Sequence, residues 1–514
     1  MPILEWRPQT AGGVNTDDSI DLIPSQQLQV CDNYVPYRGR LRLMEGNSAF
    51  VATAVAPRTR HLCEFLQDDA VGGTTKKMLR MQSDGTIEAI HTGTAVALTG
   101  PVIASSTVVL WDTCHWEGVL YLANGNEGLM QTSDGLAYAT TAGSPPSNPR
   151  YVEAFKNRLF IAGRFVAPQS VHYSAESDET TWTGNDSGTE IISSPHGDFV
   201  TCIRSVDNYL AIFTPLTITV LLGDHPDDWT KRTVYEDHGA SSHRTVHRVG
   251  GGLVYANDFG VWFLSADLKR IELSKDIRRY WQNLTSSSTR RNKARSSFMH
   301  AAYDPNPDTH RYYIWVAEGS STKEDVCWIF HFNSGEWSRM VLFMNSGETC
   351  QASCTRENSS GQRFVYFSAG ADDTTTVDKQ VWVIDGSAGF ASRTGDTDIE
   401  TTFTTGIVSG SYNPQAPTMG PVATKKWLNF FALIGATTTS NTNLTFAWTG
   451  HGVLDAASQA TIMQSITSAS SAIIRPRVPM SVNGWGVVLT LTYKGTVDHS
   501  FNGGFFEYEE SGRM

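Results

Sequence analysis

A paired-strand unit recurs along the middle of this 514-residue chain, and it constrains the fold more than any other feature. Residues 251–274 read GGLVYANDFGVWFLSADLKRIELS: two apolar bursts flank a polar turn, and a third short burst follows. The pattern returns in EGVLYLANGNEGLM at 117–130, in NRLFIAGRFVAPQSVHY at 157–173, in DNYLAIFTPLTITVLL at 207–222, in RYYIWVAEGSSTKEDVCWIFHF at 311–332 and in RFVYFSAG from Arg363. A shorter copy, MLRMQSDGTIEAI, spans 78–90. Each copy enters on Gly, Asn or Arg, runs through four to six apolar or β-branched residues, turns in polar sequence and starts again. The entries at Gly118, Asn157, Asn208, Gly252, Arg311 and Arg363 are 39 to 59 residues apart, the spacing of propeller blades with variable loops.

A small antiparallel sheet of this kind cannot bury both faces alone. Stacking such sheets around an axis hides the faces against one another and leaves only short edges. The expected fold is therefore all-β: a β-propeller over 49–390, of six blades, or seven if the match at 78–90 counts as a full unit. Residues 1–48 read as an extended, proline-punctuated segment that closes the propeller or docks a partner. After Gly386 the chain turns Gly/Ser/Thr-rich and then forms new strands, IETTFTTGIV, KKWLNFFALIG, LTFAWTG and WGVVLTLTYKG, expected to build a sandwich-like C-terminal β-domain over 391–514. Helix is expected only in SKDIRRYWQNL (274–284), with Ser274 as N-cap and Ile277, Trp281 and Leu284 on one stripe, and more weakly at 455–468.

Charge and cysteine content narrow the chemistry. The formal net charge is −12, so the chain lacks the overall basic footprint of a nucleic-acid-gripping protein. Seven widely spaced cysteines contain no C-x-x-C pair, and they read as free thiols rather than zinc ligands. The opening MPILEWRPQT has no apolar core of a signal peptide, and no run reaches the ~20 apolar residues of a spanning helix.

Motifs that could carry catalysis resolve into turns. The acidic pairs Asp227-Asp228, Glu236-Asp237 and Asp372-Asp373 are adjacent in sequence, whereas a glycosidase sets two carboxyls across a bond. HRTVH (243–247) spaces two histidines as zinc helices do, but Arg244 stands where the general-base Glu would be, and Thr and Val favour a strand. DPNPDT (304–309) mimics the start of a calcium loop but has Thr309 in place of the required Gly, and it reads as a tight turn. No catalytic, metal or cofactor-binding set is expected. The one basic cluster, Arg278, Arg279, Arg290, Arg291, Lys293 and Arg295, is read as a solvated face or as a docking surface for an acidic partner, since complementary charge guides association.

The order of these motifs resembles the tail hub, or tail nozzle, proteins of short-tailed bacteriophages. The likeness begins with Asn33-Tyr34 through Gly39-Arg40-Leu41-Arg42 to Gly46. It continues through NRLFIAG, the strand end Ile218 to Gly223, Gly239-Ala240-Ser241 before VGGGLVYANDFGVWFL, SKDIRRYW, YDPNPDTHRYYIWV and KKWLNFFALIG. What the resemblance implies is a non-enzymatic virion protein, assembled in the bacterial host cytoplasm as a homo-oligomeric ring of six copies. The ring would sit below the portal and the head-tail adaptor and meet tail tip, needle or fibre proteins. Duplex DNA would pass through it without sequence-specific binding, along a wall expected to be acidic or neutral. The alternatives are a receptor-binding tail protein and a propeller polysaccharide hydrolase or lyase. Phe165, Met340 and Phe343 are read as loop-tip residues that either plug a bore or pack between subunits.

Overall fold

The computed structural model describes residues 3–510 apart from 7–12, 18–22, 24–26, 38–39, 45–46, 52–56, 69–73, 92, 105–109, 185, 283–287, 341–347, 372–379, 385–398, 406–424, 437–442, 452–461, 466–472, 475–476, 485 and 496–498. Six sheets of four antiparallel strands, and four strands of a larger sheet, follow one another around an axis and give seven blades, the count expected if 78–90 is a full unit; that stretch supplies the second and third strands of blade 1. The innermost strands are Thr59–Asp68, Asp112–Trp116, Tyr151–Phe155, Cys202–Val206, His247–Val249, His300–Asp304 and Glu348–Glu357, in blades 1 to 7.

The recurrent sequence unit is the second strand of each blade with the third. Tyr209–Phe213 and Gly252–Ala256 are buried along their whole length. A strand covered on both faces by neighbouring blades must be apolar throughout, which is why these segments read as continuous runs. The entry residues are the hairpins that lead into them. Trp116 pairs with Val119, Phe155 with Arg158 and Val249 with Gly252, each across two residues. Both linking residues have positive φ in each case: Glu117-Gly118, Lys156-Asn157 and Gly250-Gly251. That is the primed turn whose twist matches the flanking strands.

Each gap between blades holds its own hydrophobic cluster. Leu79, Trp111 and Leu122 fill the gap between blades 1 and 2, Leu210, Ile212 and Phe160 that between 4 and 3, and Tyr313, Trp315 and Phe367 that between 6 and 7. The ring closes through Met78, Ile90, Tyr366 and Val381, between blades 7 and 1. Blade 7 takes its outermost strand, Asn47–Val51, from the beginning of the chain; Val383 faces Ser48 and Ile384 faces Asn47.

The N-terminal and C-terminal strands combine into one further sheet and one extension of a blade. In the first, His499–Glu510 lies between Arg40–Leu43 and Lys425–Ala436 and also pairs with Ile3–Trp6. In the second, Leu28–Asp32, Ile399–Thr405, Gly486–Gly495, Asn443–His451 and Ile462–Ser465 continue the sheet of blade 6 to nine strands, through a parallel contact of Asp32 with Arg339. Val14, Leu28, Cys31, Tyr34, Leu489 and Leu491 join the core between blades 5 and 6.

The local expectations fare unevenly. Residues 274–284 are helical over Lys275–Ile277 and Arg278–Gln282, with Ile277 and Trp281 buried; Leu284 lies outside the described residues. Ser274 does not cap this helix, because its hydroxyl accepts a hydrogen bond from the Val261 amide of blade 5 instead. Of 455–468, Ile462–Ser465 is a strand, and the flanking residues lie outside the described ones. HRTVH is split between a 3-10 turn, His243–Thr245, and the start of the strand His247–Val249. DPNPDT is the expected turn: Asp304 accepts from the Asn306 amide at 3.0 Å and from the Thr309 hydroxyl. All seven cysteines are free thiols.

Candidate functional site

The innermost strands bring polar side chains to the axis, and two cavities lie along it. The larger, about 320 Å³, is lined by His61, Glu64, Asp112, Arg204, His243, His247, His300 and Ser353, among others. The second, about 240 Å³, lies where the innermost strands of blades 1 and 7 begin, and Arg244 borders both.

In the larger cavity the carboxylates have partners across blades. Asp112 of blade 2 binds Arg204 of blade 4 through both guanidinium ends, at 2.5 and 3.0 Å, and accepts the Val152 amide of blade 3 at 3.1 Å. Glu153 of blade 3 accepts from the Ser205 amide at 3.2 Å, from the Ser205 hydroxyl at 2.7 Å and from Arg248 of blade 5. Its other oxygen lies 3.5 Å from Arg204. Glu64 lies 3.7 Å from Arg363 and accepts the Glu357 amide. Burial pushes the Asp112 carboxyl up, but Arg204 more than reverses this and holds it below the ordinary carboxylate value. The network ties blades 2 to 5 together as a ring of matched charge.

The histidines are neutral donors. His243 Nε2 donates to the Trp111 carbonyl at 2.8 Å and His247 Nε2 to that of Ala301 at 3.0 Å. His300 bonds the Ser353 hydroxyl and the Cys350 carbonyl and stacks on Trp315. Burial lowers His61 to about 3, His243 and His247 to about 4, and His300 well below its ordinary value. Asp112 opposes the shift at His61 and His243. With their ring nitrogens spent on carbonyls and hydroxyls, these imidazoles hold blades together. Among the described residues no group of three or more His, Cys, Asp or Glu is placed to hold a metal ion.

The smaller cavity is the opposite in charge. Among the described residues, Arg58, Arg60, Arg244, Arg295 and Lys323 line it with one carboxylate, Glu324. Arg60 and Arg244 are each 8 % exposed. Two backbone irregularities aim residues here. The pairing of blade 1 shifts register between Thr59 and His61, and that of blade 7 between Cys350 and Ala352. Arg60 and Gln351 are the residues skipped, and a bulge of this kind re-aims a side chain. The sequence reading passed over this site, although Arg58-Thr59-Arg60-His61 is a compact basic run just ahead of a strand.

The six cluster residues, read as a solvated face or a docking surface, are dispersed. Arg278 pairs with Glu272 at 2.6 and 3.0 Å. Arg291 is buried, 3.1 Å from Asp258, with its guanidinium over Trp281. Arg295 reaches Glu324 at 3.3 Å and covers Phe298 at the small cavity. Lys293 opens a 3-10 turn and is half-buried. Arg279 and Arg290 alone of the six share a groove, bounded also by Asn15, Asp32 and Arg339, where Arg290 donates to the Arg279 carbonyl. Asp227-Asp228 forms an exposed 3-10 turn, and Asp237 is held by both ends of Arg270. Asp372-Asp373 and Phe343 lie outside the described residues. Met340 is buried in the core between blades 6 and 7, whereas Phe165 stands 84 % exposed at a hairpin tip of blade 3.

A scan against protein-family models finds no matching family, and a search of curated proteins returns no match.

Proposed function

We propose that this chain is a mechanical component of a short-tailed phage tail, a ring-forming hub or nozzle subunit below the portal and adaptor. The observation that carries the reading is the continuous β-structure between propeller and accessory sheets. Blade 6 runs without a break into a nine-stranded sheet, and both ends of the chain meet in a second sheet. A unit joined in this way transmits load without a hinge between its parts. The histidines, Arg204 and Arg244 narrow the axis of a single propeller to cavities of about 320 and 240 Å³, so a DNA passage must lie between copies rather than through one. Exposed apolar residues on blade 3, Phe165, Val166, Ile191 and Phe199, support contact between copies, since water-facing residues of this size favour burial at an interface.

Mass determination of the purified full chain in solution, with negative-stain imaging, tests the proposal. A closed ring with an open bore is the expected result, and Phe165→Asp should weaken its assembly. A trimer would replace it with a receptor-binding spike, and a monomer that degrades capsular polysaccharide would replace it with an enzyme. A broadly positive bore in an assembled ring would contradict the passive DNA passage, because each phosphate neutralised by Lys or Arg adds affinity.

A further inference from the structure

At the small cavity at the end of the axis three guanidiniums, Arg60, Arg244 and Arg295, share one carboxylate among the described residues, Glu324. Buried charges in folded proteins are paired, because an uncompensated ion loses its hydration without return. Arg244 spends its Nη atoms on the carbonyls of Gln351 and Phe298, which are dipoles and not counter-charges. Its Nε has no hydrogen-bond partner, and neither does the Nε of Arg60. Arg295 shares the one carboxylate, Glu324, and its Nε is also unmatched. Burial and the neighbouring guanidinium of Arg58 work against the charge on Arg60, and burial works against that on Arg244; Glu324 favours both but does not reverse either shift. Gln351 adds an unpartnered amide oxygen from the second bulge. Two bulges on adjacent innermost strands thus give up regular pairing to direct Arg60 and Gln351 at one cavity.

We propose that this space is a binding site for a compact multivalent oxyanion of the phosphate class, gripped by Arg60 and Arg244 with Arg58, Arg295 and Lys323 around it. Guanidinium forks match the geometry and charge of phosphate oxygens. The Gln351 amide oxygen can accept the proton that hydrogen phosphate still carries. At about 240 Å³ the space fits an anion or a small phosphate ester and excludes a polymer from its interior. The bound anion would link the bulged strands of blades 1 and 7 to the turn of Arg244 and the loop of blade 6, and so fasten the seam where the propeller closes. The site does not depend on the tail-ring reading.

The test is calorimetric and thermal titration of the full-length protein at constant ionic strength, with inorganic phosphate in one arm, glycerol 3-phosphate in a second and chloride as the reference. One site per chain with a dissociation constant below about 1 mM is expected, together with a melting rise of at least about 2 °C at 10 mM that chloride does not reproduce. Tighter binding of phosphate than of the ester identifies the free anion as ligand, and the reverse order identifies a phosphate monoester. Arg60→Gln and, should that variant fail to fold, the less buried Arg58→Gln should weaken binding at least about tenfold. Arg248→Gln, at the matched network, should leave it unchanged. An equal response of wild type and both arginine variants would reveal only the general stabilising action of phosphate on proteins and overturn the site, as would no binding in either arm.

Discussion

Two stretches of one axis treat charge in opposite ways. Between blades 2 and 5, Asp112, Glu153, Arg204 and Arg248 satisfy one another, and the nearby imidazoles are neutral. At the smaller cavity, by the bulged starts of blades 1 and 7, Arg60 and Arg244 share with Arg295 one carboxylate among the described residues, Glu324. The difference separates charge used to join blades from charge that calls for something outside the chain. A matched network is complete when the protein folds; an unmatched one is complete only when loaded.

The largest effect expected from breaking this contrast is acid lability of the neutral stretch. Unfolded histidine titrates near 6.5, whereas His61 titrates at about 3 and His243 and His247 at about 4 in the folded chain. The unfolded state therefore takes up protons first. Stability should be full above about pH 6.5 and be lost as pH falls toward 4, by several kcal/mol at an upper limit of about 1.4 per unit per imidazole. Urea midpoints at pH 7, 5.5 and 4.5 measure this, and His243→Asn should flatten the slope. Asp112 adds to the same trend below about pH 4, since its lowered value means stability is lost on protonation.

Next in size, Asp112→Ala at pH 7 should cost about 3 kcal/mol, read from the urea midpoint, because it leaves a buried guanidinium with only the more distant Glu153. Arg60→Gln should have the opposite sign. In phosphate-free buffer it removes an unmatched buried charge and should raise stability by about 1 kcal/mol. If both substitutions destabilise equally, the two stretches do not differ as described. The smallest effect belongs to Arg248→Gln, below about 1 kcal/mol, because that side chain is 60 % exposed and solvent screens its pair with Glu153.

What the sequence discloses follows from the same geometry. The second strands were legible because both faces are covered, so Tyr209–Phe213 and Arg311–Val316 are apolar or buried at every position. The innermost strands were not, since Asp112–Trp116 and His300–Asp304 carry axis-facing polar groups that break any hydrophobic run. Blade 7 was legible only in part, because its outermost strand, Asn47–Val51, lies more than 300 residues from its partner Gln380–Ile384, and no local pattern marks such a pairing. The basic cluster at 278–295 looked like one face because sequence proximity ignores the turn at Lys293–Phe298. The structure sends Arg291 into the core and Arg295 to the axis. The cavity around Arg60 depends on two register shifts that nothing in composition announces.

The strand borrowed by blade 7 also sets an order of events during synthesis. Residues 47–51 leave the ribosome early and stay without their partner until residue 384 has emerged, so the circle cannot be locked before three quarters of the chain exists. Until then the first and sixth sheets each have one bare flank, open to the wrong neighbour. A cut or a new terminus placed at this seam would make folding local from start to finish, and would exchange a late clasp for an earlier, weaker circle.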